Sequence, residues 1–371
     1  MGKTNTLFLT LRVFSATGGI EKVCRIAGKA LYEIDEESTD TTVKIFSLYD
    51  APAEVNTNYF PSAIFSGFSK QRYPFLRSAI KQGGSSRMVI LSHINLLIVG
   101  YFIKLISPKT KLVLIAHGIE VWNELPWWKK TMLLKCDKVL PVSEFTKNKM
   151  LQLYRLPEKK FTVLNNSLDP FLSPPLNQPK NVQLLNRYGI NINDNVLMTL
   201  TRMSSTERYK GYDEVMQAVH DMKEKYPTTK YLLVGKYDAI EKQRLDELIS
   251  RLCLKDQIIL TGFIPDEELA AHYALADLYI MPSQKEGFGI VFIEAMFYGK
   301  PVIAGNLDGS ADALDNGNLG ILVNPDDSRE ITAAIIKVME NKNGFIPNRQ
   351  QVMDKFSYPV YKEKLRKILN G

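Results

Sequence analysis

The apolar positions of this chain fall into short runs separated by amphipathic stretches. Residues 6–11, 43–48, 88–92 and 111–116 are largely apolar, and so are 195–201, 231–235, 258–262, 276–281 and 301–304. Short apolar runs rich in Val, Ile and Leu predict strands buried on both faces, the pattern of a parallel sheet. Between them the spacing becomes helical. Val23, Ile26, Ala27, Ala30 and Leu31 share one face of a helix over 21–34, and helices are expected near 241–252, 267–276 and 290–298. This alternation predicts an α/β protein with two parallel sheets and a cleft between them. Residues 161–165 read as the last strand of the first half. Residues 171–180, carrying Pro174, Pro175 and Pro179, read as a linker. The expected domains are therefore 1–170 and 181–354, with 355–371 as a terminal helix.

Charge divides the chain differently. The net charge is +7, but residues 1–167 alone come to +10 and the remainder to −3. No acidic residue occurs over 55–119, against eight basic ones. An anionic partner for the first half follows. Residues 51–84 interleave Phe60, Phe65, Phe68, Tyr73 and Phe75 with Lys70, Arg72, Arg77 and Lys81, and Trp122, Trp127 and Trp128 precede Lys129 and Lys130. Such clusters suit either a membrane interface or a helix with an aromatic core face and a solvated basic face. The longest apolar run, 94–106, contains Asn95 and Lys104 and is too short to span a bilayer. Three scattered cysteines give neither a disulfide framework nor a metal site. No secretory leader pattern opens the chain, so the expected location is cytoplasmic.

The candidate chemistry centres on residues 282–296. Pro282 and Ser283 end an apolar run, Gly287 and Gly289 make a tight turn, and a helix begins at Ile290. A strand, a glycine turn and a helix N-terminus offer free N–H groups to a phosphate. Glu286 and Glu294 frame that turn, and carboxylates are acceptors for sugar hydroxyls. Phosphate donors beside hydroxyl-binding acids point to a nucleotide sugar. Three further features follow buried strands, where α/β folds bind ligands. Gly18 and Gly19 form a second glycine turn after the first strand, His117 ends the strand over 111–116, and Arg202, Arg208 and Lys210 follow the strand over 195–201.

The string Pro-Ser-x-x-Glu-Gly-Phe-Gly-x-x-x-x-Glu-Ala-Met, followed by Tyr298-Gly-Lys-Pro-Val-Ile, resembles the Glu-x7-Glu signature of retaining glycosyltransferases of the GT-B fold, especially glycosyltransferase family 4 (glycosyl transferases group 1). Gly18-Gly19-Ile20-Glu21, His117-Gly118 and Arg202 to Lys210-Gly211 are similar to further motifs of that family. Three departures stand out: Thr201 replaces a glycine before Arg202, the gap between Arg202 and Lys210 is longer than usual, and Ser167 replaces the glycine of an Asn-Gly-x-Asp segment.

The resemblance implies two Rossmann-like domains, with the terminal helix packing back on the first. It implies that Glu286 binds the donor sugar, Glu294 the ribose, and Ile264 the nucleobase. Gly287, Phe288, Gly289 and Ile290 would offer backbone donors, and Gly18 and Gly19 would approach the donor diphosphate or the acceptor. His117 would orient the sugar. Arg202 and Lys210 would bind the pyrophosphate, with Arg208 a substitute for either. The implied reaction is metal-independent transfer from a UDP-sugar (glucose, galactose or an N-acetylhexosamine) to a glycan or lipid-linked acceptor in exopolysaccharide, capsule or O-antigen synthesis. The basic first domain would then meet the inner face of the cytoplasmic membrane. GDP-mannose is the alternative donor, and a non-catalytic nucleotide-sugar-binding protein the alternative class. No nucleic-acid-binding motif is present, so no nucleic-acid partner is expected.

Overall fold

The computed structural model describes residues 4–38, 41–174 and 180–370. Pro175 and Pro179 of the expected linker lie outside the described residues. The chain divides into two units, Met1–Pro170 with Phe356–Gly371, and Phe171–Lys355.

The first unit carries a six-stranded parallel sheet. Its strands are β1 (Thr4–Thr10), β2 (Thr41–Ser47), β3 (Phe65–Gly67), β4 (Met88–Leu91), β5 (Lys111–Ala116) and β6 (Lys138–Pro141), in the spatial order β3-β2-β1-β4-β5-β6. Leu7, Phe8 and Leu9 of the central β1 are fully buried. Burial on both faces is why these strands are continuously apolar rather than alternating. The order reverses between β1 and β4, and at such a switch point the loops leaving adjacent strands diverge and open a crevice. The Gly18-Gly19 loop leaves β1 there, and His117 follows β5, the next strand out.

The second unit repeats the plan with β7 (Asn195–Leu200), β8 (Thr229–Val234), β9 (Ile258–Gly262), β10 (Leu278–Met281), β11 (Val302–Gly305) and β12 (Ile321–Val323), ordered β12-β11-β10-β7-β8-β9. Here the reversal lies between β7 and β10, which pair in register at Leu197–Leu278 and Met198–Tyr279. The loop with Arg202 and the loop with Glu286 therefore leave neighbouring strands at the same edge of the crevice.

Residues 161–165 do not form the expected strand. A single bridge joins Phe161 to Val139. Thr162 and Leu164 still donate to the carbonyls of Val139 and Pro141, at 3.1 and 2.9 Å. Pro141 has no N–H to return a bond, so the parallel ladder stops. The last helix, Tyr358–Asn370, packs on the helix Gly19–Glu36. Tyr358 and Lys362 both reach Glu33, at 2.9 and 3.0 Å, and Lys362 also pairs with Glu37.

The aromatic side chains of 51–84 are mostly structural. Phe60, Phe65 and Phe75 are buried, and Phe14 packs against Phe60 and Phe65. Tyr73 of this stretch is exposed, and most other exposed apolar groups of the unit lie on two helices. The helix Leu97–Ile106 leaves Ile98, Phe102, Leu105 and Ile106 in solvent, and the adjacent helix Trp127–Leu134 leaves Trp127, Trp128 and Leu134 there. Among the described residues no helix is long and apolar enough to cross a membrane.

Candidate active site

The loop after β10 is fixed from several sides. Its backbone is first held by a buried carboxylate, Asp308, which is 1% exposed. Asp308 Oδ2 accepts from the Glu286 N–H at 2.6 Å and from the Ser283 hydroxyl at 2.7 Å, and Oδ1 accepts from the Ser310 N–H at 2.9 Å. The Gly309 N–H donates to the Glu286 carbonyl at 2.8 Å. Both peptide groups of Glu286 are thus taken. Burial pushes the Asp308 carboxyl up to about 6, against the hydrogen bonds it receives from Ser310 and Ser283.

Glycines allow the loop to pack this closely. A β-carbon at Gly309 would lie 2.1 Å from the Gly287 carbonyl oxygen, one at Gly305 2.1 Å from that of Ser283, and one at Gly211 2.2 Å from that of Pro282. Gly211 and Gly289 also have positive φ, at 80° and 84°. Gly211 brings the preceding turn, Arg208–Lys210, onto this loop, where the Gln284 N–H donates to the Tyr209 carbonyl at 2.9 Å. The turn delivers Lys210 Nζ to 2.7 Å from Glu286 Oε2. Both side chains are mostly buried, at 15% and 19% exposure. Burial opposes the Lys210 charge, but the Glu286 carboxylate outweighs it and the pKa of the ammonium is raised. Lys210 and Lys285 also lie over the Tyr209 ring.

The remaining candidates of this unit separate. Arg202 is largely exposed and paired with Glu207. It borders a cavity of about 340 Å³ that Ser204, Lys236 and Asp238 also line. Close by in the fold, Lys236 Nζ sits 4.5 Å from the centre of the exposed Phe263 ring, and Ile264 is buried beside it in sequence. Arg208 turns away from Glu286. Its Nε donates to Glu241, a fully buried carboxylate that also receives Arg244 and the Tyr212 hydroxyl. Glu294 lies inside the helix Ile290–Phe297, fully buried, with the Tyr273 hydroxyl 3.4 Å from its Oε2. Phe288 and Ile290 are buried as well.

In the first unit another buried aspartate shapes the glycine turn. Asp50 accepts from the N–H groups of Val13, Phe14 and Ser15, at 2.7, 3.2 and 2.7 Å, and from the Ser47 hydroxyl. It fixes the chain just ahead of Gly18 and Gly19. His117 is buried behind β4. Its Nε2 lies 2.7 Å from the Ser92 carbonyl, which can only accept, so that nitrogen carries the proton. The His117 N–H donates to Glu120 at 2.6 Å, and Gly118 takes φ 144°, where a side chain would be strained. Burial holds the neighbouring His93 below the ordinary imidazole value.

The sequence pattern leads to Glu286, Lys210 and the two glycine turns but not to Asp308 or Asp50. An Asp-Gly-Ser triplet straight after β11 was the available signal for Asp308. Among the described residues no group of three or more His, Cys, Asp or Glu side chains is placed to hold a metal ion.

Comparison with known proteins bears on the family and the fold. Residues 185–358 match the family Glycosyl transferases group 1, and residues 35–170 match Glycosyltransferase Family 4. Over 277 residues the chain is 27% identical to a GDP-mannose-dependent alpha-(1-6)-phosphatidylinositol monomannoside mannosyltransferase of Mycolicibacterium smegmatis, covering 70% of each chain. The fold is similar to that of Anabaena HepE in complex with UDP, with a TM-score of 0.81 at 20% identity, covering 99% of this chain and 100% of HepE. The complex of HepE with UDP-glucose matches at a TM-score of 0.80 and 19% identity over 99% of both chains.

Proposed function

Because the chain belongs to glycosyltransferase family 4 (glycosyl transferases group 1), enzymes of the GT-B fold, we propose that it transfers a hexosyl group from a nucleoside diphosphate to an acceptor hydroxyl with retention at the anomeric carbon. The observation that carries this reading is the Lys210–Glu286 pair at the Gly287–Gly289 turn. A diphosphate needs a cation, a sugar needs a hydroxyl acceptor, and this pair supplies both within one hydrogen-bond length. Lys210 and Arg202 neutralise the charge that grows on the leaving nucleoside diphosphate. Glu286 holds hydroxyls of the donor sugar, and backbone N–H groups over 287–290 assist at the phosphates. Glu294 serves the ribose hydroxyls and Ile264 the base. On the first unit His117, its Nε2 proton committed to Ser92, keeps Nδ1 for the sugar, and Gly18 and Gly19 admit the donor or the acceptor.

The acceptor oxygen attacks the anomeric carbon from the face the diphosphate leaves. The bond to the phosphate oxygen breaks, the bond to the acceptor oxygen forms, and the acceptor's proton passes to the departing phosphate. Lys210 and Arg202 stand in for a divalent ion. Covalent attack by Glu286 is the competing route, and a trapped glycosyl-peptide containing Glu286 would establish it.

Two donors have support. UDP-glucose, with UDP-galactose and UDP-N-acetylhexosamines beside it, is favoured by the likeness to HepE. GDP-mannose is favoured by the mannosyltransferase relative. The test is a panel of UDP-, GDP- and ADP-sugars with EDTA present, read by thermal shift and by hydrolysis to the nucleoside diphosphate. One donor that both stabilises the protein and turns over fixes base and sugar. Silence from every donor on folded protein overturns the reading.

A lipid-linked glycan at an anionic membrane is the proposed acceptor. Its support is the exposed apolar row of the helix Leu97–Ile106, with Trp127 at 79% exposure on the next helix, in a unit of net positive charge. Aromatic side chains with lysines around them suit the headgroup region. The chain should sediment with phosphatidylglycerol vesicles and not with phosphatidylcholine vesicles, and Trp127→Ala with Ile106→Ser should abolish that difference.

A further inference from the structure

We propose that Asp308 is the positioning residue for the donor sugar, holding the Glu286 backbone so that its carboxylate meets the sugar hydroxyls. The proposal rests on the transferase reading above. Three hydrogen-bond donors converge on one carboxylate that is 1% exposed: the Glu286 N–H, the Ser283 hydroxyl and the Ser310 N–H. The Gly309 N–H closes the grip on the Glu286 carbonyl. Residues 308–310 therefore act as a template laid along residues 283–287. Glycine at 309 is required for that approach, since a β-carbon there would meet the Gly287 carbonyl oxygen.

The purpose of such a template follows from what else holds Glu286. Among the described residues its carboxylate is tied to Lys210 alone, and that ion pair must be shared once a diphosphate arrives and claims the ammonium. When this happens the carboxylate keeps its place only if its backbone is fixed independently. Asp308 provides that independence, and it does so without touching the donor. A carboxylate suits the task better than an amide. Asp308 offers acceptors at both ends, whereas an asparagine offers one oxygen and one NH₂, so one of the three donors would face another donor. A buried donor left unpaired is costly enough to shift a loop.

The test compares wild type with Asp308→Asn, using whichever of UDP-glucose and GDP-mannose the wild type hydrolyses in EDTA, and UDP or GDP as the binding probe. The expected result is a fall in kcat of about tenfold or more with the nucleoside diphosphate Kd unchanged within about twofold, a loss confined to the sugar end of the site. A kcat within about twofold of wild type would overturn the proposal, and so would a proportional loss of kcat and nucleotide binding, which marks a merely structural residue. If the variant does not fold, hydrogen exchange of wild type decides. The Glu286 amide should be protected on the order of a hundredfold or more over an open loop amide, and fast exchange there overturns the clamp. If wild type hydrolyses neither, the donor of the UDP-, GDP- and ADP-sugar panel that it does hydrolyse takes their place; silence from the whole panel fails the transferase reading, and the exchange measurement still judges the clamp by itself.

Discussion

The molecule contains two glycine turns, each leaving a central strand of a parallel sheet and each braced by a buried aspartate. The likeness ends at the glycines. Around Gly287 and Gly289 the chain is crowded: Gly211, Gly305 and Gly309 all bring backbone against the loop so closely that a methyl group would strike a carbonyl oxygen. Around Gly19 nothing lies within 4 Å of where a β-carbon would stand, and at Gly18 only the movable Glu21 side chain does. One turn needs glycine because the protein fills the space. The other has glycine beside space that the protein leaves empty. A glycine motif in a sequence thus has two physical origins, close packing and ligand approach, and only the surroundings tell them apart.

The largest effect should come from the crowded turn's cation. Lys210→Ala should lower turnover by roughly a hundredfold or more, because it removes charge stabilisation of the leaving group. It also leaves Glu286 without its counter-charge in a mostly buried position. A steady-state assay with the preferred donor checks this, and an unchanged rate removes Lys210 from the chemistry. Gly309→Ala attacks the packing instead. The neighbour in the way is backbone, so relief requires the loop to move, and overpacking of this kind costs about 1–3 kcal/mol. A drop in Tm together with lost activity is expected.

Gly19→Ala is the opposite case. The added methyl meets no atom of the protein, so Tm should stay put. If the space serves the diphosphate or the acceptor, activity should fall by about tenfold, the value of one lost hydrogen bond. A variant that is both as stable and as active as wild type would remove the first glycine turn from the site. It would leave the contrast between the turns as a matter of packing only.

The sheets were legible in the sequence because a strand buried on both faces must be apolar throughout, and β1, β4, β5 and β7 to β11 all announce themselves in that way. Two elements were not. Whether 161–165 becomes a strand depends on Pro141, a partner twenty residues away that cannot donate. The short β3 draws Phe65 into the core and much of what reads as an interfacial aromatic cluster becomes packing, though Tyr73 stays exposed, while the helix Leu97–Ile106, whose sequence looks like ordinary core, carries exposed apolar groups. In the site, Glu286 and its glycines stood out as a local string. Which base would meet Glu286 did not, since Arg208 and Lys210 are two residues apart. The choice is made by the Gln284–Tyr209 backbone bond and by Glu241, which takes Arg208. Asp308 and Asp50 were hidden for the same reason. Most of their partners are backbone N–H groups brought in by the fold, and such donors carry no signature in a sequence, so that for Asp308 only the Asp-Gly-Ser triplet was there to be read.

The smallest of these effects is the pH dependence of Asp308, the brace of the crowded turn. The Asp308 carboxyl is raised by burial to about 6, above the ordinary carboxylate range near 3.8. Its protonated form is therefore favoured by the folded state. The stability it contributes is complete below the unfolded value and is lost as pH rises through about 6, because over that interval the native protein binds the extra proton. Other carboxylates, such as Glu33 and Asp277, are lowered: burial opposes the shift, but lysine partners outweigh it, so they act in the opposite sense at lower pH. A single melting curve against pH would mix these contributions, and the useful quantity is the difference between wild type and Asp308→Asn. Wild type should lose stability relative to the variant between about pH 4 and pH 6, and the difference should be flat above pH 7. A flat difference across the whole range would mean that Asp308 titrates like an ordinary carboxylate. Its bonds to Glu286, Ser283 and Ser310 would then balance its burial.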